Sequence, residues 1–231
     1  MQKFKNIFKG LTKFEKILWS VSAAVVLISY LFSPQKSIIS ILASLIGVTA
    51  LIFVAKGYII GQILTVAFAV LYGIISFKFK YYGEMITYLC MTAPIDILAV
   101  FSWLKNPYKN TKEVLVNKIN KKQVIIMFSL AFAVTFVFYF ILKALNTAQL
   151  LFSTISITTS FLPCYLTYLR SPYYALGYAA NDIVLIILWS FAAAQNIAYL
   201  SMIFCFVMFL ANDIYGFINW KRMFKKQAYN I

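Results

Sequence analysis

Eight apolar stretches, near 17–33, 37–55, 58–77, 82–104, 124–145, 150–169, 172–193 and 197–220, restrict this 231-residue chain to very few folds. Each is close to the roughly 20 residues a helix needs to cross a bilayer core about 30 Å thick, and a helix satisfies its own backbone donors and acceptors there. The expectation is an all-α integral membrane protein of eight transmembrane helices. With 63% hydrophobic and 12% charged residues the composition is far from that of a water-soluble domain.

A net charge of +15 would suggest a nucleic-acid partner in a soluble protein, but here the basic residues sit in the flanks of the apolar stretches. No basic stripe with exposed aromatics remains once those flanks are assigned, so no nucleic-acid partner is expected. With eight spans both termini fall on one side. That side holds 17 of the Lys and Arg residues, including the leader lysines Lys3, Lys5, Lys9, Lys13 and Lys16, six lysines between 105 and 122, and Arg170; the other holds Lys36, Lys78, Lys80 and Lys143. The positive-inside rule then predicts cytoplasmic termini in the cell membrane. The basic leader and first apolar run imitate a signal peptide, yet Ser33-Pro34-Gln35-Lys36 lacks a small-x-small cleavage site, so the run is read as a real first helix.

No metal or cofactor is expected, because the chain offers no His or Cys ligand set. There is no histidine, and Cys90, Cys164 and Cys205 lie in three separate apolar runs, without metal-ligand spacing and placed as small buried hydrophobes.

A duplication is written into the closing helices. Asp96-Ile97 precedes Trp103 by the same spacing as Asp213-Ile214 precedes Trp220, an offset of 117 residues. The implied organisation is a leader and extra helix over 1–36, a three-helix repeat over 37–104, a polar linker and connecting helix over 105–149, a second triplet over 150–220, and a basic tail over 221–231. One connecting helix lets both triplets start from the same side, so the repeats are parallel, a plan that puts a substrate site near the midplane between them. The competing reading is that two helices ending in Trp-Lys merely share an interfacial anchor, and an aromatic belt is the expected role of Trp103 and Trp220.

Polar residues inside the spans mark the candidate site. A charge at the centre of a spanning helix costs roughly 2.5–3.5 kcal/mol on insertion scales, so Asp96, Asp182 and Asp213 are expected to face a cavity, a partner or a substrate path. Asn181 and Asn212 precede two of them. Tyr178 and Trp189 share a helical face with Asp182 and suit a ring-bearing ligand, while Tyr215 lies on the Asn212 side of its helix. Gln62, Thr65, Ala69 and Tyr72 form a semi-polar stripe, as do Thr154, Thr158, Phe161 and Tyr165. The bland alternative is a packing seam closed by hydroxyl groups. Pro94 and Pro163 lie within spans and are expected to bend them.

The stretch Leu71-Tyr72-Gly73-Ile74-Ile75-Ser76-Phe77-Lys78-Phe79-Lys80-Tyr81-Tyr82-Gly83-Glu84-Met85, with Ser102-Trp103-Leu104-Lys105-Asn106-Pro107-Tyr108, resembles PnuC-type transporters of nicotinamide riboside. Arg170-Ser171-Pro172-Tyr173-Tyr174-Ala175, Asn181-Asp182 and the run from Asn212 to Arg222 resemble that family's later helices, and the likeness covers about residues 40–226. The resemblance implies a three plus one plus three core similar to a full-length SWEET fold. It further implies facilitated diffusion of a vitamin-like nucleoside, with trapping by a cytoplasmic substrate kinase and no catalysis by the chain itself. The sequence departs from the family at Phe68, where many relatives have Asn, and at Ala99-Val100, where they have a Gly-Trp pair. Buried carboxylates complement the cationic rings of nicotinamide riboside or thiamine better than neutral riboflavin, and ribose hydroxyls suit the Asn-Asp pairs. The alternatives are another vitamin, a membrane-embedded enzyme using the three aspartates as acid and base groups, or a ligand-free scaffold. Besides substrate and lipid bilayer, a homo-oligomeric partner stays open.

Overall fold

The computed structural model describes residues 8–33, 37–78, 81–147 and 149–229. Lys3, Lys5, Lys36 and Lys80 of the charge count lie outside them. Among the described residues there are eight helices long and apolar enough to cross a membrane, and β structure is limited to isolated bridges.

The helices are α1 (Lys13–Leu31), α2 (Ile38–Ala55), α3 (Ile59–Lys78), α4 (Tyr82–Lys105), α5 (Lys121–Ala144), α6 (Leu150–Tyr168), α7 (Tyr174–Gln195) and α8 (Leu200–Ala228). Capping boxes start two of them, Thr12 with Glu15 in α1 and Asn120 with Gln123 in α5, satisfying backbone donors that the first turn leaves free. The last span runs as helix beyond 220 to Ala228, because Met223 and Gln227, one turn apart, are buried under the linker. Helix α5 sits at the rim of the bundle. Its Phe128, Phe132, Phe136 and Phe140, each more than half exposed, form the outward stripe expected against lipid tails.

Helix α4 is not regular. Tyr82–Ile86 is α-helical, Thr87–Thr92 is a π-helical turn, and Ala93–Lys105 resumes the α form with Pro94 in its first turn. The wide turn gives the Pro94 ring room beside the preceding carbonyls, so the proline is accommodated by a π segment rather than by a simple bend. Pro163 in α6 instead meets Gly177 of α7. A Cβ at position 177 would stand 2.9 Å from the Pro163 Cβ, which is why glycine occupies that crossing.

Two helix ends are built alike, 113 residues apart. Gly57 and Arg170 both adopt positive φ, 68° and 57°. Each closes its helix with paired backbone bonds, Gly57 N–H to Val54 O with Tyr58 N–H to Phe53 O, and Arg170 N–H to Thr167 O with Ser171 N–H to Leu166 O. The tryptophans of the duplicated frame complete the pattern reciprocally. Trp103 donates to Thr167 O at 2.9 Å and Trp220 to Val54 O at 2.8 Å; one turn-neighbour away, Ser102 donates to Tyr168 O and Asn219 to Ala55 O. Each closing helix thus clasps the C-terminus of the opposite triplet's first helix. The two indoles meet at 5.4 Å between centroids and are fully buried. The expected aromatic belt is therefore corrected: linker residues Val114 and Val116 pack in the same core cluster, so these rings never reach the headgroups.

The linker is ordered by both halves. Val114 N–H donates to Gly57 O, Asn117 N–H to Arg170 O, and Gln227 of α8 binds Val116 N–H and Val114 O through its amide.

Helix α1 braces the outside. The Lys56 ammonium lies 3.1 Å from Glu15, which is 1% exposed and also accepts from Tyr215 at 2.6 Å. Farther along, Trp19 donates to Thr49 of α2 and Asn212 of α8 to Ser22. A buried carboxylate needs such pairing.

Candidate functional site

Residues of α2, α3, α4, α7 and α8 line a narrow central cavity of about 40 Å³. Three carboxyl groups line it: Asp96 from α4, Asp182 from α7 and Asp213 from α8, each 0–3% exposed. Each acid sits well inside its span. Among the described lining residues there is no Lys or Arg.

Asp96 accepts from the Gln62 amide of α3 at 3.1 Å, with Tyr178 and Cys164 beside it, while its Oδ2 has no hydrogen-bond partner. Asp182 and Asp213 stand in contact with one another. Oδ2 of Asp182 is buried without a donor. Asn181 is held through its Oδ1 by Thr159 at 2.9 Å and Ser160 at 3.0 Å of α6, so its amide nitrogen is the group left to donate. The remaining wall is aromatic and small: Phe68, Tyr88, Phe206 and Phe209, with Gly47, Ala50 and Ala69 making room.

Of the residues singled out in the sequence, Asp96, Asp182, Asp213, Asn181, Tyr178 and Gln62 line this cavity, as do Thr65 and Ala69 of the same stripe. The other four are placed elsewhere. Asn212 is turned about 100° from Asp213 along the helix and bonds Ser22 and Met208 O. Tyr215 belongs to the α1 brace. Trp189 donates to the Tyr72 hydroxyl at 2.8 Å, and both rings lie in a buried aromatic layer beyond the cavity, on the side away from the termini. The Thr154–Tyr165 stripe of α6 faces α5, with Thr158 bonded to Thr135, and α6 instead offers Ser156, Thr159 and Ser160 to the interior. Sequence reasoning missed Phe206 and Phe209, which no polar pattern distinguishes from lipid-facing phenylalanines. It also passed over Glu84, whose place beside Ser156 was signalled only by its being a carboxylate within a span.

A polytopic helix bundle with a carboxyl-lined cavity among the middles of its helices has the build of a carrier for small polar molecules. Comparison with known proteins makes the assignment particular. The family described as "Nicotinamide mononucleotide transporter" matches residues 37–222, and the chain belongs to it. This is a family of transporters, not of enzymes. The chain is 26% identical to the nicotinamide riboside transporter PnuC of Neisseria mucosa over 230 residues, covering 97% of this chain and 87% of that protein. It is similar throughout to the crystal structure of the vitamin B3 transporter PnuC, with a TM-score of 0.82, 25% identity and 96% of both chains covered.

Proposed function

We propose that the chain carries nicotinamide riboside across the cell membrane by facilitated diffusion, with its termini in the cytoplasm and trapping by intracellular phosphorylation. The observation that carries this is the set of three carboxyl groups facing one cavity with no basic residue among the described lining residues. A cation of the pyridinium type supplies the charge the site lacks, while the ribose hydroxyls match Asn181, Gln62 and the free aspartate oxygens. The aromatic wall accepts the flat ring, since cations are attracted to ring faces within about 6 Å.

The same charges distinguish the mononucleotide of the family's description from the riboside of the Neisseria mucosa relative. A mononucleotide adds a phosphate of about −1.5 to −2 charge, which three carboxyl groups repel and no described lining residue neutralises. The unphosphorylated riboside is the species this cavity favours. The triplets 37–104 and 150–220 are the halves that move about it, and the basic flanks that sort to one face support the cytoplasmic placement of the termini.

Uptake of labelled riboside into proteoliposomes tests the site. Asp182→Asn and Asp213→Asn keep the side-chain shape and remove the charge, so both are expected to slow uptake; wild-type uptake in both would refute it. Thiamine shares the cationic charge and lacks the ribose, so it should compete weakly, whereas displacement by thiamine at equal concentration would make it the substrate instead.

A further inference from the structure

A fourth intramembrane carboxyl lies outside the cavity. Glu84 is in the first turn of α4, at the end of the bundle opposite the termini, and is 1% exposed. Its Oε1 accepts from Ser156 of α6 at 2.9 Å, and its buried Oε2 has no partner. Thr87, one turn along and 1% exposed, likewise holds a hydroxyl without a partner. An acid in such a place costs free energy, and a single serine does not offset it. The first substrate-free explanation, a buried ion pair, does not apply to an oxygen with no bonded donor.

Polar groups connect this carboxyl to the cavity. Ser156 and Ser160 are one turn apart on α6; the first binds Glu84 and the second binds Asn181, the neighbour of Asp182. Tyr88, four residues beyond Glu84 on the same span, lines the cavity together with Asn181 and Asp182. It stands in the π-helical turn, a distortion frequent at functional sites, and its ring packs on Tyr72 at 4.3 Å in the aromatic layer that shuts the cavity on that side. A cation leaving the three aspartates in that direction meets, immediately past the layer, one carboxyl with an open oxygen.

We propose that Glu84 is a second, outer station for the cationic ligand on the permeation path, separated from the central site by the Tyr72–Tyr88 layer. The inference rests on the reading that the ligand is a cation. Glu84 holds the ligand only in transit, so its charge sets the height of the outer step and leaves the central equilibrium affinity alone.

Glu84→Gln, which keeps the Ser156 bond and removes the charge, and Glu84→Asp, which keeps the charge, are tested in proteoliposomes with nicotinamide riboside, alongside calorimetric binding to the purified full chain. Expected is an uptake rate at least about tenfold lower in E84Q, a barrier change of about 1.4 kcal/mol, with unchanged Kd and substantial recovery in E84D. Wild-type uptake in E84Q, equal slowing in both variants, or a Kd that weakens in step with the rate would overturn it. Failure of the wild-type chain to bind the riboside at all would instead remove the cationic-ligand reading, so the two failures are distinguishable.

Discussion

Replacing Trp103 or Trp220 by Phe separates a buried clasp from an interfacial anchor. Each change removes one indole N–H bond to a helix-terminal carbonyl, Thr167 O or Val54 O. Those carbonyls keep a second donor, the N–H of Arg170 and of Gly57 respectively, so neither is left unsatisfied and the cost stays near about 1 kcal/mol rather than the 3 of an orphaned group. Shrinking a fully buried ring leaves a void and adds about 1–2 kcal/mol more. With about 2–4 °C lost per kcal/mol in a chain of this size, each single variant should melt roughly 4–12 °C lower. The indoles touch, so the double variant should fall short of the sum by about 0.5–1.5 kcal/mol. Thermal melts of the detergent-purified chain followed by circular dichroism measure all three. Single variants that melt within a degree of wild type would refute the clasp and restore the headgroup belt.

Lys56→Met removes the cation from buried Glu15 and is expected to cost about 3 kcal/mol, with Glu15→Gln in the same chain restoring part of it; thermal melts check both. Gly177→Ala should destabilise by about 1–3 kcal/mol through overpacking against Pro163, outweighing the roughly 1 kcal/mol that helix propensity returns, and a raised melting temperature would contradict it. Gln62→Leu strips Asp96 of its amide donor and should alter riboside affinity with little change in expression, read by calorimetry.

Spans and acids were legible because hydrophobic length and the rarity of intramembrane charge are signals carried by each residue alone. Asp96, Asp182 and Asp213 needed no neighbours to be suspected, and all three line the cavity. Facing was not legible. Periodicity groups residues on one side of a helix without saying what that side meets, and α8 has two polar faces, one toward the cavity and one toward α1; Asn212 and Tyr215 belong to the second. The π turn of α4 shifts the phase of the residues beyond it, which no propensity in Thr87–Thr92 announces. Trp-Lys at the end of a span reads as a belt because the sequence does not reveal that Val114 and Val116 of a distant linker fold over it.

Calorimetric titration of the purified chain with nicotinamide riboside and, separately, with its mononucleotide tests the central claim most directly. Three carboxyl groups around one cavity predict that the riboside binds and that the phosphorylated form binds at least about a hundredfold more weakly, a difference of roughly 3 kcal/mol in charge repulsion. Equal or tighter binding of the mononucleotide would contradict the account.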